Sequence, residues 1–253
     1  MRRGAVVQTS MVTPDAARQG MEPHLVNGDD VLYVGLSGGV SGTCWGVGLV
    51  ARELAEQYPE RKIRVLDSRG ASLGEGLIVL EAARLAAEGR VLEEIVVRCE
   101  ELCGKMRQHF MVDDLKALAR GGRIPLGVAV VGTKLDIKPM LTVSLDGKLE
   151  LNGIAHGRKK GIRRMAENYL SLHDPQVAVC SIGNADCYED VEKLEKAINK
   201  HSETPAFFLE SSCGPTIGCH VGPGFLSCCF WGADRRKEAS PAKYLSDSMQ
   251  LGV

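Results

Sequence analysis

Aromatic side chains are scarce in this sequence, at 5% of its 253 residues. Aliphatic side chains must therefore fill most of the interior, and we expect no aromatic surface on which single-stranded nucleic acid could stack. Net charge is small as well, because 31 basic residues stand against 32 acidic ones. This balance provides no broad basic surface for DNA or RNA, so nucleic acid is not an expected partner.

Long apolar runs are also absent. No stretch approaches the roughly 20 residues that a membrane-spanning helix needs, and no apolar segment of a signal peptide follows the basic pair Arg2-Arg3. The nine cysteines are an odd number, which argues against a secreted disulfide framework and favours reduced thiols that pack as small apolar side chains. These features predict a cytoplasmic protein without a transmembrane segment.

Common catalytic motifs are missing too. The sequence has no GxGxxG or P-loop for nucleotides and no HExxH for zinc. Cys99 and Cys103 lie one helical turn apart with His109 nearby, but structural zinc takes about four ligands and no patterned fourth ligand follows. We therefore predict no metal, no cofactor and no catalytic residue.

The first part of the chain alternates apolar strands with helical segments. Residues 31–36 and 62–67 form short apolar runs, and helical spacing follows each of them, over residues 45–58 and 73–88. Strand, loop and helix repeated in this order are typical of a βαβ unit with a parallel sheet. A parallel α/β sheet is therefore predicted for the N-terminal part.

The second part of the chain has a different pattern. Residues 140–145 and 148–151 are apolar runs joined by Asp146-Gly147, and this dipeptide favours a tight antiparallel hairpin. We predict a two-domain α/β fold. Its N-terminal α/β domain covers residues 1–107, and its mixed α/β domain, with the hairpin and a polar tail, covers residues 108–253.

Three loops combine glycine with hydroxyl or imidazole side chains, and they contain Thr9, Ser41 and His220. Ligands of open α/β sheets bind outside the carboxyl ends of the strands, and a helix N-terminus there favours an anion. Ser41 is also compatible with a plain helix cap, and His220 with an ordinary turn. Arg123 and Arg158 are either solvated surface residues or guanidinium groups that bind a phosphate or an acidic partner.

Taken together, these segments resemble the DegV family, the fatty-acid-binding subunits of bacterial fatty acid kinase. Seven segments match in the family's order: Thr9-Ser10, Ser41-Gly42-Thr43, residues 66–68 with 72–74, residues 114–124, Leu135 with Ile137-Lys138-Pro139, Arg158 with Lys160, and His220 with Gly222-Pro223-Gly224.

The resemblance implies a two-domain α/β fold with a long-chain fatty acid in a tunnel between the domains. Thr9 and Ser41 would hydrogen-bond its carboxylate, with His220 beside it. Arg123 and Arg158 would face the partner, a fatty acid kinase catalytic subunit, and the acyl phosphate. The chain itself would be a lipid-binding accessory subunit and not an enzyme.

Two departures from the family pattern affect these expectations. Family members carry a strand and an Asp-Ser loop ahead of the Thr-Ser motif, whereas Thr9 stands close to the first residue here. The resemblance therefore predicts an N-terminal truncation, with residues 31–36 at an exposed sheet edge and lower stability than an extended chain. The second departure is Gly38-Gly39, which replaces bulkier residues.

Two other functions remain open. One is a stand-alone small-molecule enzyme that uses His220 as a general base, and the other is a degenerate relative that no longer binds lipid. A fatty acid that purifies with the protein would favour the binding function over both.

Overall fold

The structure is a computed structural model that describes residues 1–127, 136–202 and 205–238. Leu135 and most of the predicted polar tail lie outside the described residues. The elements of the first half are α1 (Pro14–Val26), β1 (Val31–Gly35), α2 (Thr43–Gln57), β2 (Ile63–Asp67), α3 (Leu73–Ala87), α4 (Leu92–Lys105), β3 (Met106–Met111) and α5 (Lys116–Arg120). Those of the second half are β4 (Ile137–Val143), β5 (Leu149–His156), α6 (Arg158–Leu172), β6 (Val179–Ala185), α7 (Tyr188–Asn199), β7 (Phe207–Ser212), α8 (Pro215–Val221), β8 (Phe225–Trp231) and α9 (Arg235–Glu238).

The small N-terminal sheet consists of β1 and β2, which pair in parallel from Val31 opposite Ile63 to Gly35 opposite Asp67. Helices cover both of its faces. Side chains of α1 and α2 pack on one face around Leu54, and side chains of α3 and α4 pack on the other around Ile78. This double cover explains why the strands are apolar on consecutive residues.

The second sheet has six strands in the order β5-β4-β3-β8-β6-β7. Its neighbouring strands are antiparallel except β6 and β7, which are parallel. The predicted hairpin is present, since the amide of Ser144 donates to the carbonyl of Lys148 over 2.8 Å and Gly147 takes a φ of +74°. The predicted fold class, a parallel α/β sheet with a mixed second sheet, is thus confirmed.

The elements stack in layers. Helices α3 and α4 lie between the two sheets, because their buried side chains contact Leu66 on one side and Met106 and Cys229 on the other. Helices α6 and α7 cover the far face of the six-stranded sheet around Tyr169 and Phe230. The loops that follow β1 and β2 contact the larger sheet, since Ser37 donates to the carbonyl of Gly147 and the amide of Ala71 donates to Gln108.

Several elements differ from the sequence-based predictions. The helix α1 was not predicted; its N-cap is Thr13, whose Oγ1 accepts from the amide of Ala16 over 3.3 Å. The extended piece predicted at residues 110–112 overlaps the end of a longer strand, β3, which begins at Met106. His220 was expected in a loop, but it lies in the last turn of α8.

The cysteines are free thiols, and most are buried. Cys228 and Cys229 point to opposite faces of β8, where each joins a different apolar cluster. Burial raises the pKa of the Cys99 thiol to about 11, so it is neutral at physiological pH and packs as an apolar group. Within residues 1–127, 136–202 and 205–238, no helix is long and apolar enough to cross a membrane.

Candidate functional site

A cavity of about 380 Å³ lies between the two sheets. The loops that follow β1 and β2 form one wall, and β3, β8, α5 and α8 form the other. Most of its lining is apolar, including Leu36, Val40, Phe110, Leu118, Val143 and Phe225. The size and apolar character are those of a small-molecule site, in which a few polar groups orient the ligand.

The first polar group of the cavity is formed by Thr9 and His220. These residues are 211 positions apart in the chain, yet the Thr9 hydroxyl lies 2.8 Å from Nε2 of His220. Thr9 belongs to the segment that precedes α1, and α8 holds His220. Both side chains line the cavity, so the fold brings together two of the predicted site residues.

Ser41 contributes a second hydroxyl from the loop after β1. Its Oγ accepts from the amide of Thr43 over 3.2 Å and donates to the Thr43 hydroxyl over 3.1 Å, at the start of α2. The side chains of Ser41 and Thr43 also line the cavity. Ser41 precedes Gly42, which is the N-cap residue of α2, so its hydroxyl supports the approach to the helix rather than capping it, and the same hydroxyl lines the cavity.

Arg123 supplies the positive charge near this end of the cavity. Its guanidinium donates from Nε to the carbonyl of Val40 over 3.1 Å and also donates to the carbonyl of Gly121. Burial, with the nearby charge of Arg123, lowers the pKa of His220 below its ordinary value. The imidazole is therefore neutral at physiological pH, with one nitrogen able to donate and the other able to accept.

Gly121 permits the close approach of His220 to this wall. A Cβ at Gly121 would lie 2.5 Å from Nδ1 of His220, a distance that real contacts do not allow. Among the described residues, the His220 ring hydrogen-bonds to Thr9 and to no carboxylate. A hydroxyl in contact with an imidazole resembles a nucleophile and its general base. In such pairs a third group, often a carboxylate, orients the base, and the described residues provide no such carboxylate for His220.

Comparison with known proteins identifies the family. The model of the DegV family, described as uncharacterised proteins of that family, matches residues 1–232. This chain belongs to the DegV family. A DegV domain-containing protein from Clostridium perfringens is 35% identical over 234 residues, which are 92% of this chain and 80% of the relative. A second one, from Lactococcus lactis, is 32% identical and matches 90% of this chain and 78% of its own length.

Solved structures of DegV proteins share the fold. A Thermus thermophilus DegV protein, described by its fatty acid binding, is 30% identical with a TM-score of 0.79, over 91% of this chain and 81% of its own. A Eubacterium eligens DegV protein loaded with heptadecanoic acid is 21% identical with a TM-score of 0.81, over 90% of this chain and 81% of its own. At that identity the second comparison shows the fold alone.

Arg158 is the one predicted site residue of this DegV protein that does not line the cavity. Its Nε donates to Asp190 over 2.7 Å and its Nη1 to Asp113 over 3.2 Å, and it also donates to the carbonyl of Gly224. Lys138 donates to the same oxygen of Asp113 over 3.0 Å. Several motif residues thus form one ion-pair network beside the cavity.

This network explains part of the DegV sequence pattern without a ligand. A Cβ at Gly224, which has a φ of +86°, would lie 2.2 Å from the Asp113 carboxylate. Burial opposes ionisation of Asp190, but hydrogen bonds from Lys193 and Arg158 hold its pKa below the ordinary value. Arg158, at the start of α6, therefore connects this helix to α7 and to the loop between α8 and β8.

Sequence reasoning missed three other polar side chains of the cavity lining. These are Tyr33 of β1, Glu75 in the first turn of α3, and Gln108 of β3. The one sequence signal for this part of the cavity was the motif Ser72-Leu73-Gly74. Its glycine is required by the structure, because a Cβ at Gly74 would lie 2.3 Å from Oε1 of Gln108. Ser72 also takes a left-handed φ of +53°, which is a strained conformation for a residue with a side chain. The described residues contain no cluster of three or more side chains that could hold a metal ion.

Proposed function

We propose that this DegV protein binds a long-chain fatty acid in the cavity and presents its carboxylate to a partner kinase. The observation that carries the proposal is that Thr9, Ser41 and His220 all line the same, mostly apolar cavity, with Thr9 in contact with His220. A buried carboxylate requires hydrogen-bond donors, and two hydroxyls with one imidazole supply them. The Thermus thermophilus relative, described by its fatty acid binding, supports the choice of ligand.

The energetics favour an acyl ligand. Burial of each methylene contributes about 0.8 kcal/mol, so a long tail supplies most of the affinity. The loss of translational and conformational freedom on binding offsets much of that gain. The hydroxyls and imidazole then determine which end of the molecule faces Arg123.

The chemistry in this proposal belongs to the partner. The kinase would transfer a phosphoryl group from its nucleotide to the fatty acid carboxylate, which gives an acyl phosphate. The guanidinium of Arg123 is suited to stabilise the charge on the phosphoryl oxygens. Thr9, Ser41 and His220 would hold the carboxylate in place for the transfer.

Native mass spectrometry of the gently purified protein tests the lipid binding. We expect a folded protein whose mass exceeds that of the chain by one long-chain fatty acid, because a buried acyl chain dissociates slowly. Organic extraction should remove the added mass, and incubation with the same fatty acid should restore it. A folded protein that carries no lipid and takes none up would instead favour the enzyme or the degenerate relative.

Reconstitution with a bacterial fatty acid kinase catalytic subunit tests the presentation of the carboxylate. For Arg123→Ala we expect acyl phosphate formation to fall by about tenfold or more, with a much smaller loss of fatty acid affinity, because the acyl tail supplies most of that affinity. The control is Arg90→Ala, since Arg90 is exposed and its ion pair with Glu94 lies on the surface. Equal losses of affinity and of product would contradict a role for Arg123 in the transfer.

A further inference from the structure

One part of the cavity wall is poorly suited to a plain hydrocarbon chain. Glu75 and Tyr33 line the cavity on the side of the small sheet, and both are half-buried. An alkyl chain that covers these groups would remove water from them and return no hydrogen bond, which carries a free-energy cost. A saturated tail is therefore not the ligand that this wall fits best.

Glu75 and Tyr33 are free to bind a ligand. Within residues 1–127, 136–202 and 205–238, neither the Glu75 carboxyl nor the Tyr33 hydroxyl makes a side-chain hydrogen bond, and no ion pair reaches Glu75. Most other polar groups on the lining are already satisfied. Gln108, for instance, accepts from the amide of Ala71 over 3.0 Å, and Ser227 accepts from the amide of Gly183 over 3.2 Å.

We propose that Glu75 and Tyr33 form a second polar subsite, which binds a hydroxyl group carried on the acyl chain of the ligand. The inference rests on the proposed fatty acid binding and names the ligand class more closely, as a hydroxylated long-chain fatty acid. The carboxyl of Glu75 and the phenol of Tyr33 can each donate or accept a hydrogen bond. A ligand hydroxyl, which also does both, pairs with them in either arrangement.

The surroundings of Glu75 select a neutral ligand group over an anion. The charge of Asp67 of β2 acts on its carboxyl group, and Tyr33 of β1 and Cys44 of α2 are the titratable groups on which Glu75 acts in turn. Burial and the charge of Asp67 raise the pKa of Glu75 to about 7. A second carboxylate here would be repelled, so the head group binds beside Arg123 and the chain's hydroxyl beside Glu75.

Competition binding at pH 6 tests the subsite. The ligands are stearic acid and a series of monohydroxystearic acids that differ in the position of the hydroxyl. We expect at least one isomer to bind the wild-type protein about tenfold more tightly than stearic acid, as a hydrogen bond to a buried polar group suggests. The variant Glu75→Leu should lose this preference and bind stearic acid more tightly.

Two further variants make the result specific. Glu75→Gln is close in shape and retains hydrogen bonding, so it should fold and should keep part of the preference. Glu88→Leu, at the exposed end of α3, should behave as the wild type does. The subsite is wrong, while fatty acid binding stands, if the wild type binds stearic acid but prefers none of the hydroxylated isomers to it. The same conclusion follows if Glu75→Leu and Glu75→Gln both retain the full preference for a hydroxylated isomer. If the wild type binds none of these acids, the proposed function and the subsite both fail.

Discussion

Replacement of Arg158 by alanine should lower the free energy of unfolding by about 3 kcal/mol, the scale for breaking a largely buried ion pair. The Arg158 side chain is 22% exposed and that of Asp190 is 12% exposed. Asp190 would keep Lys193, which lies 2.9 Å away on the surface of the same helix, but it would lose the cation that faces the protein interior. The carbonyl of Gly224 would lose a donor as well. Equilibrium unfolding in urea measures the change.

Arg163→Ala is the matched control, on the same helix. The Arg163 side chain is 71% exposed and pairs with Glu167 over 3.4 Å, an exposed pair of the kind that contributes at most about 1 kcal/mol. A large loss of stability at Arg158 and a small one at Arg163 would establish a structural role for the motif arginine. Equal, small losses would favour the original interpretation, in which Arg158 faces the partner kinase.

Arg158 illustrates what the sequence could not provide. The motif was recognisable, but the two acidic partners, Asp113 and Asp190, are 45 and 32 residues away. Nothing in the local pattern says that three distant side chains meet. The local sequence, an arginine next to glycine in a polar turn, therefore predicted an exposed side chain for Arg158. In the structure this side chain instead binds the carboxylates of Asp113 and Asp190.

The βαβ unit and the hairpin were predictable because their signals are local. Apolar runs of strand length, a helix after each one and the Asp146-Gly147 turn all act over a few residues. The central strand β8 was harder, since both of its faces are buried and it shows no alternation of polar and apolar residues. The short helix α8 had a usable signal in Pro215 at its first turn and Gly222, with a φ of +75°, after its end.

The polar wall around Glu75 could not be predicted for a similar reason. Glu75 stands in the first turn of a helix, where an acidic residue is ordinary. Its position on the cavity depends on the layer order, which places α3 between the two sheets. Tyr33 likewise lies in an apolar run, which predicts a buried strand and no ligand contact. The packing of α3 on β1 makes these two residues neighbours, and the cavity between the two sheets exposes both to a ligand.

The double variant Thr9→Ala with Ser41→Ala should lose roughly 10²–10⁴-fold in fatty acid affinity. Each substitution removes one hydroxyl that we propose binds the carboxylate, and a hydrogen bond to a charged group contributes about 1.5–3 kcal/mol. Each single variant should therefore lose about 10-fold to 150-fold. Displacement of a fluorescent fatty acid by the natural ligand gives these affinities on one scale. Ser171→Ala is the control, since that exposed hydroxyl donates to the carbonyl of Glu167 on α6, away from the cavity.

Stability must be separated from affinity in this experiment. Ser41 also accepts from the amide of Thr43 at the start of α2, so its loss should destabilise the protein by about 1 kcal/mol, as for a lost hydrogen bond. Thr9 lies in the segment before α1 and contacts His220, so Thr9→Ala should affect binding more than folding. Affinities are therefore compared well below the melting temperature of every variant.

The two single variants and the double variant form a thermodynamic cycle. If the two hydroxyls bind the carboxylate independently, their losses add; if the carboxylate shifts toward His220 when one hydroxyl is missing, the double variant loses more than the sum. Either result supports a shared head-group site. Wild-type affinity in the double variant would show that the carboxylate binds elsewhere, and it would move the head group away from Thr9, Ser41 and His220 altogether.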